Sequence, residues 1–303
     1  HCRYFYRLMT KHAVLYSEMV TTGAILHGNR DLHLGFDAAE HPLVLQLGGS
    51  QPDDLASCAR IAVEYGYDEI NLNVGCPSDR VQNGRFGACL MANPQLVADC
   101  VAAMQDAVTI PVSVKSRIGI DDQDSYAELV DFIGTIAATG CSTFVVHARK
   151  AWLSGLSPKE NREIPPLRYD VVYQLKQDFP ELEIIINGGI TKVDSCEEFL
   201  AQLDGVMLGR EVYHNPYILT EVDALIYGVQ SVPMSRHEVV LAMMPYVEQQ
   251  LARGVRLNNM TRHMLGLFHG EKGARAWRRY LSEHATQAGA DQRVLLSALE
   301  FTV

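Results

Sequence analysis

Residues 70–78 read INLNVGCPS, an apolar run in which Asn73 stands near the end and Gly75, Cys76 and Pro77 follow at once. Short β-branched runs of this kind, separated by helical stretches, are typical of parallel strands buried on both faces. A (β/α)₈ barrel builds its site from polar side chains at the carboxyl ends of such strands. The stretch therefore predicts both a strand and the face on which chemistry occurs.

The same pattern recurs along the chain. The other apolar runs that carry or precede a polar residue are Val14–Val20 with Glu18, Leu43–Leu47 with Gln46, Val112–Val114 before Lys115, Phe144–Val146 before His147, Ile184–Ile186 before Asn187, and Val206–Leu208 before Gly209-Arg210. These runs and residues 70–74 supply seven strands, whereas a closed barrel needs eight. We therefore expect an α/β fold of the TIM-barrel type whose first strand would precede His1, in an N-terminally truncated chain.

Length and composition set the broad class. The 303 residues, 48% of them hydrophobic, leave room for one barrel of about 250 residues and a small appendage. No apolar stretch approaches the ~20 residues of a membrane span, and no leader pattern is visible. The seven cysteines are scattered without a CxxC pair, which favours free thiols in a cytoplasmic protein, with no metal site and no membrane partner.

The pattern changes after Gly228. Residues Val229–Ser235 form a short linker, and amphipathic helices are predicted at His237–Arg253, Met260–Phe268, Gly273–Gln287 and from Asp291 onward. We expect two domains: a catalytic barrel over residues 1–228 and an all-helical domain over residues 229–303.

Charge is unevenly distributed. The net charge is −10, which argues against a general nucleic-acid binder, yet residues 251–280 carry seven Lys and Arg against the single acid Glu271. An acidic body with one basic face binds polyanions selectively. In the third predicted helix, Ala274, Trp277, Leu281 and Ala285 form an inward stripe, with arginines on the flank beside it. A solvated face is the ordinary interpretation of such arginines, but the local surplus favours contact with a phosphate backbone.

Two glycine turns follow the last predicted strands, Asn187-Gly188-Gly189 and Gly209-Arg210. The loops after strands seven and eight are the usual phosphate cradle of such barrels, where glycines let backbone N–H groups approach the anion. No G-x-G-x-x-G follows a strand, so a Rossmann dinucleotide site is not supported. The phosphate would belong to a substrate or to a mononucleotide flavin.

Four polar residues at the same barrel end suit a flat heterocycle: Gln46, Asn73, Lys115 and His147. Lys115 could stabilise negative charge at the N1–C2 edge of a reduced flavin. Cys76, just past a strand and before a proline, is well placed as a general acid, because an ordinary thiol is protonated at neutral pH. Cys89 is a competitor for that role, whereas most cysteines are buried small hydrophobes.

Five motifs together resemble those of the tRNA-dihydrouridine synthases: NLNVGCP at 71–77, VKSRIG at 114–119, HAR at 147–149, INGGI at 186–190 and LGR at 208–210. The stretches KAWLSGLSPKENREIPP at 150–166 and TRHMLG at 261–266 are similar to the bacterial A-type subfamily. The resemblance covers essentially the whole chain.

The resemblance implies an FMN-dependent barrel with a helical tRNA-binding domain and no obligate protein partner. NADPH would reduce the flavin, which would then reduce the C5–C6 double bond of a D-loop uridine at positions 20 and 20a. Hydride would pass from flavin N5 to C6, and a proton from Cys76 to C5. A stacked uridine must be extruded for this chemistry.

The resemblance also implies roles for individual residues. The FMN ligands would be Gln46, Lys115, His147, Asn187, Gly188, Gly189, Gly209 and Arg210. Asn73 would face flavin and uracil, and the tRNA contacts would be Lys159, Arg162, Arg275 and Arg278.

This sequence departs from the family pattern in two places. The family begins with a strand and an Ala-Pro-Met loop that touches the flavin, and this chain starts just after it; Val212 stands where a smaller residue is expected.

Two other functions compete. A small-molecule flavin oxidoreductase of the dihydroorotate-dehydrogenase type would share the barrel and FMN, but such a substrate needs no basic helical surface. An RNA-binding module on a vestigial barrel would need neither Cys76 nor Lys115.

Overall fold

The computed structural model describes residues 1–78, 81, 84–230 and 232–302. Its sheet is built from the strands β1 (Leu15–Tyr16), β2 (Val20–Thr21), β3 (Leu43–Gly48), β4 (Glu69–Val74), β5 (Val112–Arg117), β6 (Thr143–His147), β7 (Glu183–Asn187) and β8 (Gly205–Met207). All pairings are parallel, and β3 to β8 pair in chain order. The predicted α/β barrel architecture is confirmed.

The first predicted strand, Val14–Val20, is wrong in detail. β1 and β2 are two short strands that both pair with β3, and residues 17–19 interrupt the strand between them, although Ser17 still donates to the Val44 carbonyl at 2.8 Å. Glu18 lies in that segment, where its exposed carboxylate is 3.0 Å from Arg3, so it does not take part in a barrel site. Within the described ranges no pairing joins β8 to β1 or β2, and the ladder is therefore open there.

Helices alternate with the strands and then continue alone. They are α1 (Cys2–Arg7), α2 (Thr22–His27), α3 (Arg30–Leu34), α4 (Pro52–Tyr65), α5 (Pro94–Ala107), α6 (Tyr126–Ala137), α7 (Tyr169–Asp178), α8 (Cys196–Leu200), α9 (Arg210–His214), α10 (Leu219–Leu225), α11 (Arg236–Ala252), α12 (Leu257–Thr261), α13 (Ala274–His284) and α14 (Arg293–Leu299). None of the helices in the described ranges is long and apolar enough to cross a membrane.

Local sequence explains where the barrel helices begin. Asn93 caps α5 by accepting from the Leu96 N–H at 3.3 Å, with Pro94 in the first turn. Ser125 and Glu128 form a reciprocal capping box at the start of α6. These helices bury their apolar faces against the sheet in the larger hydrophobic core.

A second core surrounds Trp277, which is fully buried and donates its indole N–H to the Met264 carbonyl at 3.1 Å. The predicted inward stripe of α13 is confirmed, since its apolar residues all lie in this core. Phe5 of α1 and Val212 of α9 belong to the same cluster. Val212 is therefore large because it fills this core, which accounts for its departure from the expected smaller residue.

The helix predicted at Met260–Phe268 is wrong. Helix α12 ends at Thr261, and tight turns follow it. The carbonyl of Met264 accepts from Trp277 and from the Leu267 N–H instead of from a helical partner. A Cβ at Gly266 would overlap the His214 carbonyl oxygen, so this glycine lets the turn approach α9 closely.

Asp223 of α10 anchors the segment between α1 and β1. Its buried carboxylate accepts from the Thr10 hydroxyl at 2.6 Å, the Lys11 N–H at 2.6 Å and the His12 N–H at 3.3 Å. These bonds supply partners for backbone groups that no strand or helix satisfies.

Replacing Asp223 with Ala should lower the free energy of unfolding by about 3 kcal/mol, because three donors lose a charged acceptor away from solvent. Thr10→Val, which removes one of those donors alone, should cost about 1 kcal/mol. Urea denaturation measures both values. A loss below 1 kcal/mol in Asp223→Ala would show that the anchor contributes little.

Candidate functional site

A cavity of about 490 Å³ opens at the carboxyl ends of β4 to β8. Of the residues predicted for the site, its lining contains Asn73, Cys76, Lys115, His147, Arg162, Asn187, Gly188, Gly189, Gly209 and Arg210. The strand register brings them together, because β4, β5, β6 and β7 are parallel neighbours whose polar ends stand side by side. The roles assigned to these residues stay predictions.

A chain of side-chain amides supports the floor of this cavity. Asn73 donates to Gln46 at 2.8 Å, Gln46 donates to Asn71 at 2.9 Å, and Asn71 donates to Ser113 at 2.9 Å. Ser113 in turn donates to Glu69, and burial raises the pKa of that carboxyl. Gln46 does not line the cavity; it holds Asn73, and its role as an FMN ligand stays a prediction.

Asn73 also shapes the turn that carries the thiol. Its Oδ1 accepts from the Gly75 N–H at 3.2 Å and from the Cys76 N–H at 3.0 Å. The half-buried Cys76 faces the cavity and lies 3.5 Å from the Ser78 hydroxyl. Cys89 does not line the cavity; its thiol donates to the Phe86 carbonyl, and burial raises its pKa. Of the two candidate thiols, Cys76 therefore lies at the cavity and Cys89 does not, and the role of either stays a prediction.

Lys115 and His147 lie beside one another in a poorly solvated region. Lys115 donates to Asn187 at 3.0 Å, and Asn187 donates to the Met207 carbonyl at 2.8 Å. Burial, and secondarily Arg117, lowers the pKa of Lys115 to about 7. Burial and the nearby cations lower the pKa of His147 to about 2, so its imidazole is neutral. Its Nδ1 is buried without a partner among the described residues.

The turn after β7 requires glycine. Gly188 and Gly189 have φ of +115° and +72°, in the region that other residues avoid. A Cβ on Gly189 would lie 2.5 Å from the Leu167 side chain, and Tyr169 donates to the Gly188 carbonyl at 2.7 Å. Gly209, after β8, has an ordinary φ of −127° and open space around it.

Positive charge dominates the cavity. Among the described residues, the charged lining consists of Lys115, Arg117, Arg162, Arg210 and one acid, Glu211. Arg210 is 3.2 Å from the Glu163 carboxylate, and both side chains remain about half exposed. A cavity of this charge favours an anionic ligand.

Arg117, in the VKSRIG motif at 114–119, is a cavity residue that the sequence-based prediction of the site does not include. It follows Lys115 by two residues on β5, and alternation along a strand places both on the same face. The two-residue spacing from Lys115 is the sequence feature from which Arg117 could have been predicted as a site residue. The remaining tRNA candidates, Lys159 in the 150–166 loop and Arg275 and Arg278 on α13, are exposed and lie outside the cavity lining.

The low pKa of Lys115 has a consequence for stability. Between pH 7 and about 10 the unfolded chain binds a proton at this residue that the folded chain does not. Lys115 therefore makes the free energy of unfolding rise with pH, by up to ~1.4 kcal/mol per unit. In ligand-free protein, denaturation at several pH values should show this contribution in the wild type and not in Lys115→Met. Equal slopes in the two proteins would contradict it.

Similar proteins identify the family of this chain. The family model for dihydrouridine synthase matches residues 1–302. The chain is 62% identical over 300 residues to the tRNA-dihydrouridine(20/20a) synthase of Vibrio vulnificus, covering 99% of this chain and 92% of that protein. It is 63% identical over 300 residues to the protein of that name from Shewanella oneidensis, covering 99% and 89%. The Escherichia coli K12 protein of that name is 62% identical over 301 residues, covering 99% and 87%. The chain therefore belongs to the dihydrouridine synthase family of enzymes.

Proposed function

We propose that this enzyme reduces a D-loop uridine of tRNA, at positions 20 and 20a, to 5,6-dihydrouridine, using FMN and NADPH. The observation that carries the proposal is the placement of the Cys76 thiol in one cationic cavity with Lys115, His147 and Asn187. The names of the similar Vibrio, Shewanella and Escherichia proteins support the choice of tRNA and of the two positions.

The residues present fit FMN. The buried Nδ1 of His147 has no partner in the part of the chain that the structure describes, and a neutral imidazole offers one donor and one acceptor. Lys115 is fixed by Asn187 at the same side of the cavity. The Gly188-Gly189 turn and Arg210 supply backbone N–H groups and a guanidinium for a phosphate. These residues would hold the isoalloxazine edge and the phosphate.

Bound FMN, once reduced by NADPH, would supply hydride to C6 of the uracil. The other half of the reaction belongs to the protein. Cys76 gives its thiol proton to C5, and Asn73 fixes the turn from which the thiol projects. Asn73 also faces the cavity, where its amide can orient the uracil. Positioning of this kind supplies much of the rate, since the reacting atoms must meet in a defined geometry.

Four cations, one that lines the cavity and three exposed ones outside it, would hold the tRNA backbone. Arg162 lines the cavity and Lys159 precedes it on the same loop, whereas Arg275 and Arg278 stand on the solvent face of α13. A small substrate would contact none of the cations on α13, so the presence of these cations favours a polyanionic substrate. The free thiols and a tRNA substrate are consistent with a cytoplasmic enzyme.

Replacing Cys76 with Ala should leave flavin content and NADPH oxidation within twofold of the wild type. Reoxidation of the reduced enzyme by tRNA should slow at least ~100-fold, because the proton donor is lost. Stopped-flow absorbance of the flavin measures this rate. Cys89→Ala is the matched control and should react like the wild type. Full activity in Cys76→Ala would refute the proton-donor role.

Arg275→Ala and Arg278→Ala should each weaken tRNA binding and reduce the slope of log K against log salt by about 1, because one phosphate contact is lost. Arg60→Ala, which removes an exposed arginine from α4, is the charge-matched control and should keep the wild-type slope. Filter binding at several salt concentrations gives the slopes. Identical slopes in all four proteins would make Arg275 and Arg278 ordinary surface residues.

A further inference from the structure

A buried guanidinium joins two loops at the cavity. Arg117, at the end of β5, is 5% exposed. Its Nε donates to the Gly75 carbonyl at 3.0 Å, and its Nη1 donates to the carbonyls of Lys150 at 3.1 Å and Asn161 at 2.9 Å. Gly75 directly precedes the thiol residue, whereas the other two carbonyls belong to the 150–166 loop. The planar fork of arginine donates in both directions at once.

The 150–166 loop is held together around Asn161, which is fully buried. Its Oδ1 accepts from the Trp152 N–H at 2.8 Å, and its Nδ2 donates to the carbonyls of Trp152 at 2.9 Å and Leu156 at 3.2 Å. The carbonyl that Arg117 binds is therefore part of an internally bonded unit. The same unit presents the exposed Lys159 and the cavity-lining Arg162.

The turn at Cys76 is held just as closely. Asn73 accepts from the Cys76 N–H at 3.0 Å, and the Cys76 carbonyl accepts from the Ala88 N–H at 2.9 Å. Ala88 also packs with Ile120 and Ala151 in a small buried cluster. The two loops are thus joined twice, by a polar contact through Arg117 and by an apolar contact through this cluster.

We propose that Arg117 is a positioning residue that couples the 150–166 loop to Cys76. Substrate held by Lys159 and Arg162 fixes that loop, and Arg117 transmits the constraint to the carbonyl that precedes the thiol. The proton donor is then in place when substrate is bound. This inference rests on the proposed function for its catalytic consequence and on the hydrogen bonds alone for its structural one.

Charge and geometry can be separated at this position. Burial lowers the pKa of Arg117 to about 10, with Cys76 opposing the shift, so the side chain stays cationic at neutral pH. Below the pKa of about 7 that burial gives the neighbouring Lys115, a lysine at this position keeps that charge, but its donors lie on one compact ammonium in place of the fork. Arg117→Lys therefore tests the joint, because a purely electrostatic role would be rescued by lysine.

In Arg117→Lys, reoxidation of the reduced enzyme by saturating tRNA, measured per bound flavin, should slow ~100-fold, as expected for a misplaced reacting group, and far more than reduction by NADPH does. Amide hydrogen exchange, measured by mass spectrometry, should accelerate in peptides covering residues 75–78 and in those covering 150–163. Wild-type reoxidation, or faster exchange in one of the two loops alone, would overturn the proposal.

Ile120→Ala tests the same joint from its apolar side, because Ile120 is buried but does not line the cavity. It should accelerate exchange in both loops and slow reoxidation about tenfold. Ile136→Ala, in the buried face of α6, is the control for a general loss of stability and should leave exchange in both loops unchanged. Loops that respond alike in the two variants would overturn the coupling. Hydrogen exchange needs no turnover, so an inactive wild type would reject the proposed function while the coupling is still decided.

Discussion

The site depends on one side chain, the amide of Asn73. Its nitrogen donates to Gln46, and its oxygen accepts from the backbone N–H groups of Gly75 and Cys76. Because Gln46 is itself held by Asn71, the thiol turn is tied through three amides to the interior of the barrel. A buried polar chain of this kind is favourable when each member is satisfied. The backbone at the thiol is therefore tied to a barrel strand through Asn73, in addition to the contacts that it makes with neighbouring loops.

Burial determines the protonation states of the titratable groups around the cavity. Burial disfavours the charged form of both residues: it keeps the imidazole of His147 neutral and lowers the pKa of Lys115 to about 7. Arg117 stays cationic in the same surroundings. The cavity thus combines a neutral hydrogen-bonding ring, an amine close to its titration point and a fixed cation. This combination suits a ligand with a polar heterocycle and a phosphate.

The strands and the polar residues at their ends could be predicted from sequence, because a polar residue at the end of an apolar run marks the end of a barrel strand. An apolar run followed by Asn73, Lys115, His147 or Asn187 gives both the strand and the direction of the polar residue. The missed features depend on contacts between distant segments. The three carbonyls on Arg117 and the burial of Val212 come from the packing of other loops and helices. The early end of α12 likewise depends on a distant contact, because the Met264 carbonyl accepts from the Trp277 indole N–H.

In the proposed reaction, reduced flavin bound in this cavity would give hydride to a uridine of tRNA. The most direct measurement reduces the flavin-loaded enzyme anaerobically with NADPH, adds tRNA lacking dihydrouridine, and follows flavin reoxidation by absorbance. The account predicts rapid reoxidation by tRNA, with dihydrouridine formed in equal amount, and none by fumarate or free uridine. A flavin that ignores tRNA and is reoxidised by a small acceptor would contradict it, as would a protein that binds RNA but no flavin.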